Sequence, residues 1–490
     1  MTIAALPRTA SAPTLDYSLL CRGFGGFAAV AVLLAPFSNE PFAIAVGGIV
    51  PWLLLRIVAT DTMPAAVAYY FIWQWVQVFA RALQAWIDGQ PMILSLEGPA
   101  VPRAYWYMLA SLVVMACVVR LMLGSVRRPT QWERTAHYYW QPVDLIILYG
   151  VGSAVAIVMG IGARSVGSLA QPLMAISQVK VVAIFMLFVY VMSTGRGTKF
   201  LFGVVLFEIV IGITGFFSNF RGVFIYLGIA AIAARVKWRA TTTIAAVTGL
   251  TALVGLALFW TAVKVDYRIY VAQSDDAQAI NVPLSERLAY IGSRFFSLEG
   301  LNLQQTSYTL LSRLAYTDIF GAVIGVQEAH PEPIPARQWR EAIGHLTMPR
   351  FLFPGKAPLS DSEVYMRLAR TISLGEEIRA GTSISVGYMG ENFADFGFPG
   401  MLFGVAMVAF IVGGVARILM GFQLPQAMRE GVLMAFFHNV CHDGVEVSLA
   451  KTLGATVMFL IGFLLLNKFV FPRVLQWLEL RSRAARYKLA

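Results

Sequence analysis

The chain has 490 residues, of which 58% are hydrophobic and only 13% charged, and its net charge is +11. Soluble domains keep about a quarter of their residues charged. This composition therefore excludes a soluble enzyme or a nucleic-acid-binding protein and marks a polytopic membrane protein. Cys21, Cys117 and Cys441 stand far apart, in or beside apolar runs, which argues against both a disulfide framework and a cysteine metal cluster.

The first 18 residues carry one arginine and no Ala-x-Ala site behind a short apolar core, so the first span reads as retained rather than cleaved. Apolar runs long enough to cross about 30 Å of hydrocarbon number about twelve. They fall near 22–37, 41–59, 64–86, 104–124, 143–163, 178–194, 199–216, 219–235, 242–263, 397–419, 428–444 and 452–471. With the N-terminus in the cytoplasm, the basic groups between spans all fall on one side: Arg127, Arg128 and Arg134, then Arg196 and Lys199, then Arg235, Lys237 and Arg239, then Arg417 and Arg429. The tail, with Lys468, Arg473, Arg481, Arg483, Arg486 and Lys488, joins them, as the positive-inside rule requires.

That topology divides the chain into a membrane region over 1–263, a large external loop over 264–396, a second membrane region over 397–471 and a basic cytoplasmic tail over 472–490. The expected fold is all-α, with about twelve transmembrane helices and short amphipathic helices in the external loop. Leu288, Ile291, Phe295 and Leu298 recur at helical spacing there, with Arg287 and Arg294 on a polar face, which reads as a helix at the membrane interface. Prolines near 331–335 and at Pro349, Pro354 and Pro358 keep the following stretch extended or turned. The loop carries ten arginines and two lysines against fifteen acids, so its arginines do not serve topology and need another reason.

Arg221 lies in a tight external turn, Ser218 to Gly222, so its guanidinium sits near the membrane–water boundary. There it would either clamp a lipid diphosphate through its planar fork or snorkel to the headgroups. Arg268, Arg287, Arg294, Arg313 and Arg350 are further candidates for binding a diphosphate or glycan. Glu391 and Asp395, four apart beside the re-entering span, would share one helix face. They read either as a general base with a raised pKa or as carboxylates capping the N-terminus of the helix that follows them. His438 and His442, with Asp443 and Glu446 close by, have zinc-compatible spacing but lack a clear third ligand. A base or hydrogen-bonding role for His442 at the outer end of a span is the stronger reading. His330 and His345 are lesser candidates for the base. No cofactor is expected, and the chain has neither a Walker-type loop nor a nucleophile elbow. Nor does it have a cytoplasmic domain large enough for a nucleotide sugar, so any sugar donor should be lipid-linked.

Three motifs in order carry a family resemblance: Ser218-Asn-Phe-Arg-Gly222, Pro349-Arg-Phe-Leu-Phe-Pro-Gly-Lys356, and Gly387-Tyr-Met-Gly-Glu-Asn-Phe-Ala-Asp-Phe-Gly-Phe-Pro-Gly400. With the span count and the single late external loop, the chain resembles the Wzy-type O-antigen and exopolysaccharide polymerases, relatives of the O-antigen ligases. The resemblance implies a metal-independent inverting glycosyltransferase of the GT-C kind in the bacterial cytoplasmic (inner) membrane, with its active site facing the periplasm. Its substrates would be undecaprenyl diphosphate-linked oligosaccharides in membrane lipid, and its partners a flippase and a chain-length regulator of the same pathway, with no nucleic acid. On this resemblance Arg221 and Arg350 match the family's arginines, and Glu391 falls in its Gly-Glu element. Where ligases tend to carry a histidine, this chain reads Glu391-Asn392, which favours polymerase over ligase. A ligase acting on lipid A-core and a flippase for lipid-linked sugar are the alternatives. Nine spans, an insert and three spans do not divide into the two similar halves common in transporters.

Overall fold

A computed structural model describes residues 14–216, 219–273, 280–297, 302–348, 353, 355–356, 360–369 and 384–487. All regular elements among them are helices, apart from one isolated bridge between Thr14 and Lys237. The first membrane region contains α1 (Tyr17–Leu34), α2 (Pro41–Val58), α3 (Ala66–Asp88), α4 (Val101–Leu123), the short α5 (Gln131–Thr135), α6 (Pro142–Ser165), α7 (Ala170–Ser177), α8 (Val179–Thr194), α9 (Thr198–Ile213), α10 (Arg221–Ala233) and α11 (Ala240–Ala272). The insert contributes α12 (Leu284–Ser297), α13 (Leu303–Leu314), α14 (Thr317–Ala329), α15 (Arg337–Thr347) and α16 (Asp361–Leu368). The chain ends with α17 (Gly387–Met420), α18 (Gln426–Cys441), α19 (Leu449–Phe469) and α20 (Phe471–Tyr487).

Each of the twelve apolar runs is helical. Among the described residues, however, eight helices are long and apolar enough to cross a membrane, or nine if the bent pair α13–α14 counts as one span. The chain is thus an all-α, multi-pass membrane protein. Four of the expected spans fall outside that set: α9, α10 and α18 are shorter, and α3 is too polar. The polarity of α3 is organised. With no Gly or Pro from Ala66 to Asp88, it runs unbroken until Gly89, in the left-handed region at φ 65°, ends it. Gln74, Gln77, Arg81 and Gln84 fall on one stripe, and all four are buried. Polar groups inside a membrane bundle need partners. Arg81 finds Asp318 of α14 at 2.8 Å, Gln74 accepts from the Tyr388 hydroxyl of α17, and Gln77 holds the turn between α18 and α19.

Close helix approach in a bilayer depends on small residues. A Cβ at Gly47 of α2 would lie 2.0 Å from the Tyr105 hydroxyl of α4, while the Gly47 carbonyl accepts the Trp75 indole N–H of α3 at 2.7 Å. Helix α17 breaks at Gly397 and Phe398, whose backbone is non-helical just before Pro399, so the short stretch carrying Glu391 and Asp395 is set apart from the long apolar stretch that follows.

The insert differs from its expected form in two ways. Helix α11 continues to Ala272, past the expected start of the insert at Lys264. It is also no simple external cap: α14 buries Phe320, Val323 and Ile324 against α4 and α17. There its Gly321 backs onto the Val101 backbone. Helix α12 is amphipathic as expected. Ile291 is buried in a cluster with Phe259, Trp260 and Tyr267, Leu288 and Phe295 are largely exposed, and Leu298 lies outside the described residues.

Contacts sort the connections to two ends. At one end Leu15 N–H bonds the Val236 carbonyl, Arg417 binds the Met122 carbonyl, and Arg481 pairs with Asp144. At the other, the Met92 N–H donates to Glu40, Arg221 reaches Asp443, and Lys451 pairs with Asp361 of the insert at 2.5 Å. The basic connections gather at the first end and the insert at the second.

Candidate functional site

Arg221 opens α10 after a chain reversal in which the Asn219 N–H bonds the Gly212 carbonyl. Its guanidinium donates to the His442 carbonyl at 2.9 Å and to Asp443 Oδ1 at 3.2 Å, and it lies over the Trp73 ring of α3 at 5.3 Å. The other oxygen of Asp443 lies 2.8 Å from His442 Nε2, so one carboxylate bridges an arginine and a histidine. All three side chains remain open to solvent, at 39% for Arg221, 45% for Asp443 and 49% for His442. Partial burial raises the pKa of Asp443, but the hydrogen bonds from His442 and Arg221 outweigh it and hold the group below the usual carboxylate range.

The turn bearing these groups, 442–448, is held by α3. Gln77 Nε2 donates to the Asp443 carbonyl at 2.9 Å and to Glu446 Oε1 at 3.0 Å, while its Oε1 accepts the Val445 N–H at 2.7 Å. Gly444 adopts φ 68°, and a Cβ there would lie 1.8 Å from Gln77 Oε1. Burial, reinforced by the neighbouring Asp443 charge and only partly offset by Arg221, raises Glu446 to about 8. One turn earlier on α18, the His438 ring packs edge-on to Tyr226 at 5.3 Å and lies 6.0 Å from the His442 ring. Among the described residues no three His, Cys, Asp or Glu side chains converge as metal ligands, and the two histidines turn to different neighbours.

Glu391 is buried, and its Oε2 accepts the Leu449 N–H, the first amide of α19, at 2.9 Å. The turn is pinned there a second time, because the Tyr388 N–H of α17 bonds the Val447 carbonyl at 2.8 Å. Arg221 and Glu391 therefore hold opposite ends of one short segment, 442–449. Asp395 accepts the N–H groups of Gln338 and Trp339 at 3.0 and 2.9 Å, capping α15. Neither carboxylate caps the helix that follows it in the chain: Glu391 meets the N-terminus of α19 and Asp395 that of α15, where the dipole favours a carboxylate.

The remaining arginines do not join this cluster. Arg268 and Arg287 donate to the Phe216 carbonyl at 3.1 Å and the Thr214 carbonyl at 2.7 Å, at the C-terminal end of α9. They tie α11 and α12 to that end, where cations are favoured. Arg294 lies over its neighbour Tyr290, and Arg313 is exposed in the last turn of α13. Arg350 and most of its motif lie outside the described residues, but Lys356 Nζ donates to the His345 carbonyl at 2.6 Å and the Met348 carbonyl at 2.8 Å. His330 is exposed at the end of α14. Trp73 and Gln77 are not legible as parts of an Arg221 site, and Asp443 and Glu446 read from the sequence only as neighbours of the two histidines. The polar stripe of α3 was the available signal for Gln77.

The docking of α17 on the turn has a steric test. Gly387 adopts φ 79°, and a Cβ there would lie 2.2 Å from the Val445 carbonyl. Gly387→Ala should destabilise the protein by about 2 to 4 kcal/mol, combining left-handed strain with overpacking, and thermal unfolding in detergent should show a lower midpoint. An unchanged midpoint would contradict this docking.

Comparison with family models, with curated proteins and with solved structures returns no match for this chain.

Proposed function

We propose that the chain is an inverting glycosyltransferase that joins polyprenyl diphosphate-linked oligosaccharide units at the outer face of a bacterial cytoplasmic membrane. The observation that carries this reading is Arg221, at the start of α10, held against a turn that bears His442, Asp443 and Glu446 at the end of the bundle away from the basic connections. By the positive-inside rule that end faces away from the cytoplasm in this reading, and the resemblance of three sequence motifs to those of Wzy-type polymerases points to the substrate class.

In this reading Arg221 binds the diphosphate of the donor. Its charge is oriented by Asp443 and its ring-facing side by Trp73, and it stabilises negative charge as the leaving group departs. Glu446, in its ionised form, takes the proton from the acceptor hydroxyl. The hydroxyl oxygen forms the new bond to the anomeric carbon from the opposite face. The carbon–oxygen bond to the diphosphate breaks, and the electron pair leaves with the polyprenyl diphosphate. Glu391, fixed to the first amide of α19, acts as a positioning residue for the turn.

Purified protein incubated with lipid-linked repeat units alone should yield a ladder of lengthened glycans. A ligase would leave them unextended until lipid A-core is added, and a flippase would form no linkage at all; either result would overturn the polymerase reading.

A further inference from the structure

At the end of the bundle opposite the turn, two adjoining cavities of about 820 and 640 Å³ open between helix ends and share Asp61, Arg235 and Glu430 in their walls. Five separate segments contribute an arginine to the lining of the larger one: Arg22 of α1, Arg56 of α2, Arg127 after α4, Arg235 after α10 and Arg429 of α18. Its carboxylates are fewer and partly engaged. Asp16 Oδ1 accepts the Leu19 N–H at 3.0 Å and Glu430 Oε2 accepts the Ala65 N–H at 3.1 Å. The smaller cavity adds Arg128 and Arg134.

Topology explains arginines near this end but not two details of their placement. A topogenic arginine needs only to lie in a connection and reach water. Arg429 instead has a side chain only 9% exposed, 3.8 Å from Glu133 and within the electrostatic reach of its neighbour Glu430. Glu133 already binds Arg127 at 2.6 Å and the Thr130 N–H at 2.7 Å. Arg235 departs further from a merely topogenic role. The Val236 N–H bonds the Ala231 carbonyl and the Arg235 N–H bonds the Ile232 carbonyl, which is the Schellman closure of α10. That closure places Arg235 at φ 49°, where glycine is the residue without conformational cost. A strained arginine and a buried one thus line the same cavity.

We infer that this cavity binds a phosphate-bearing anion, with Arg235 and Arg429 as direct ligands. Clustered guanidiniums match phosphate oxygens in geometry and charge, and the cavity has the volume of a small-ligand site. The phosphate would come either from the headgroup of an anionic lipid or from a soluble diphosphate.

The test uses the full-length protein in phosphatidylcholine nanodiscs, titrated with inorganic diphosphate. A parallel arm measures retention of phosphatidylglycerol against phosphatidylcholine by native mass spectrometry. Saturable binding of either probe is expected, and the arm that responds identifies the source. Arg429→Gln and Arg235→Gly should each weaken that binding at least tenfold. Because glycine relieves the backbone at 235, Arg235→Gly should do so without lowering the thermal midpoint. Failure of both probes to bind above the zwitterionic background would overturn the inference, as would full binding by both variants. Loss of binding in Arg235→Gly together with a lower midpoint would overturn the assignment of Arg235 as a ligand.

Discussion

Arg221→Ala is expected to cut glycan extension by about a hundredfold to a thousandfold, the usual cost of removing one fixed donor from a developing negative charge. The loss should come with little change in folding. The Arg221–Asp443 pair is open to solvent on both sides, and exposed pairs of this kind contribute at most about 1 kcal/mol. Cells carrying the variant at normal protein level should make short glycan only, and the purified variant should unfold near the wild-type temperature. Arg221→Lys should recover only part of the activity, because a single ammonium cannot reproduce a planar fork that reaches the His442 carbonyl and Asp443 together. Asp443→Asn should be intermediate, since it removes the charge orienting both Arg221 and His442 but leaves the guanidinium in place. Full extension by Arg221→Ala would remove the diphosphate role from this residue.

Glu446→Gln is the second large effect, and its signature lies in the pH profile. Burial and the Asp443 charge raise Glu446 to about 8, so at neutral pH most of it is protonated and unable to accept a proton. Wild-type extension should therefore climb as pH rises through about 8, following the ionised fraction. Glu446→Gln should be slower by about a hundredfold or more and lack that rise. Stability should run the other way. A carboxyl whose folded pKa lies above its unfolded one binds more protons when folded. Its contribution is fully present below the unfolded value, near 4.5, and is lost as pH rises through about 8. The wild type should thus lose thermal stability between pH 5 and pH 9 relative to Glu446→Gln, as measured by unfolding midpoints across that range. An activity rise retained in the variant would remove Glu446 as the base.

What could be read from the sequence follows the range of the interactions involved. Helices come from local apolar runs and capping, so all twelve segments were visible, as was the gathering of basic residues at one end. Span length and burial depend on neighbours. Helix α3 reads as another span by its apolar content, yet Gln74, Gln77 and Arg81 face inward to partners hundreds of residues away. Helix α14 was hidden inside an insert judged by its overall charge, although Ile319 to Val326 is an apolar run that wedges between α4 and α17.

The site shows the same division. Arg221 stood out because a charged residue in a very short turn has few places to go. Glu446 reads only as a neighbour of the two histidines, because its environment depends on Gln77, which lies 369 positions earlier in the chain. Glu391 and Asp395 illustrate the limit from the other side. Their spacing was legible as either a base pair or helix caps, and only the positions of Leu449 and of the α15 amides show what each carboxylate touches.

The most direct measurement is a product balance on the reconstituted protein with lipid-linked repeat units, counting released polyprenyl diphosphate against new glycosidic bonds and reading the anomeric configuration by NMR. The account predicts one diphosphate released per bond and an inverted anomeric centre. Linkages formed with retained configuration, or no diphosphate released at all, would contradict it.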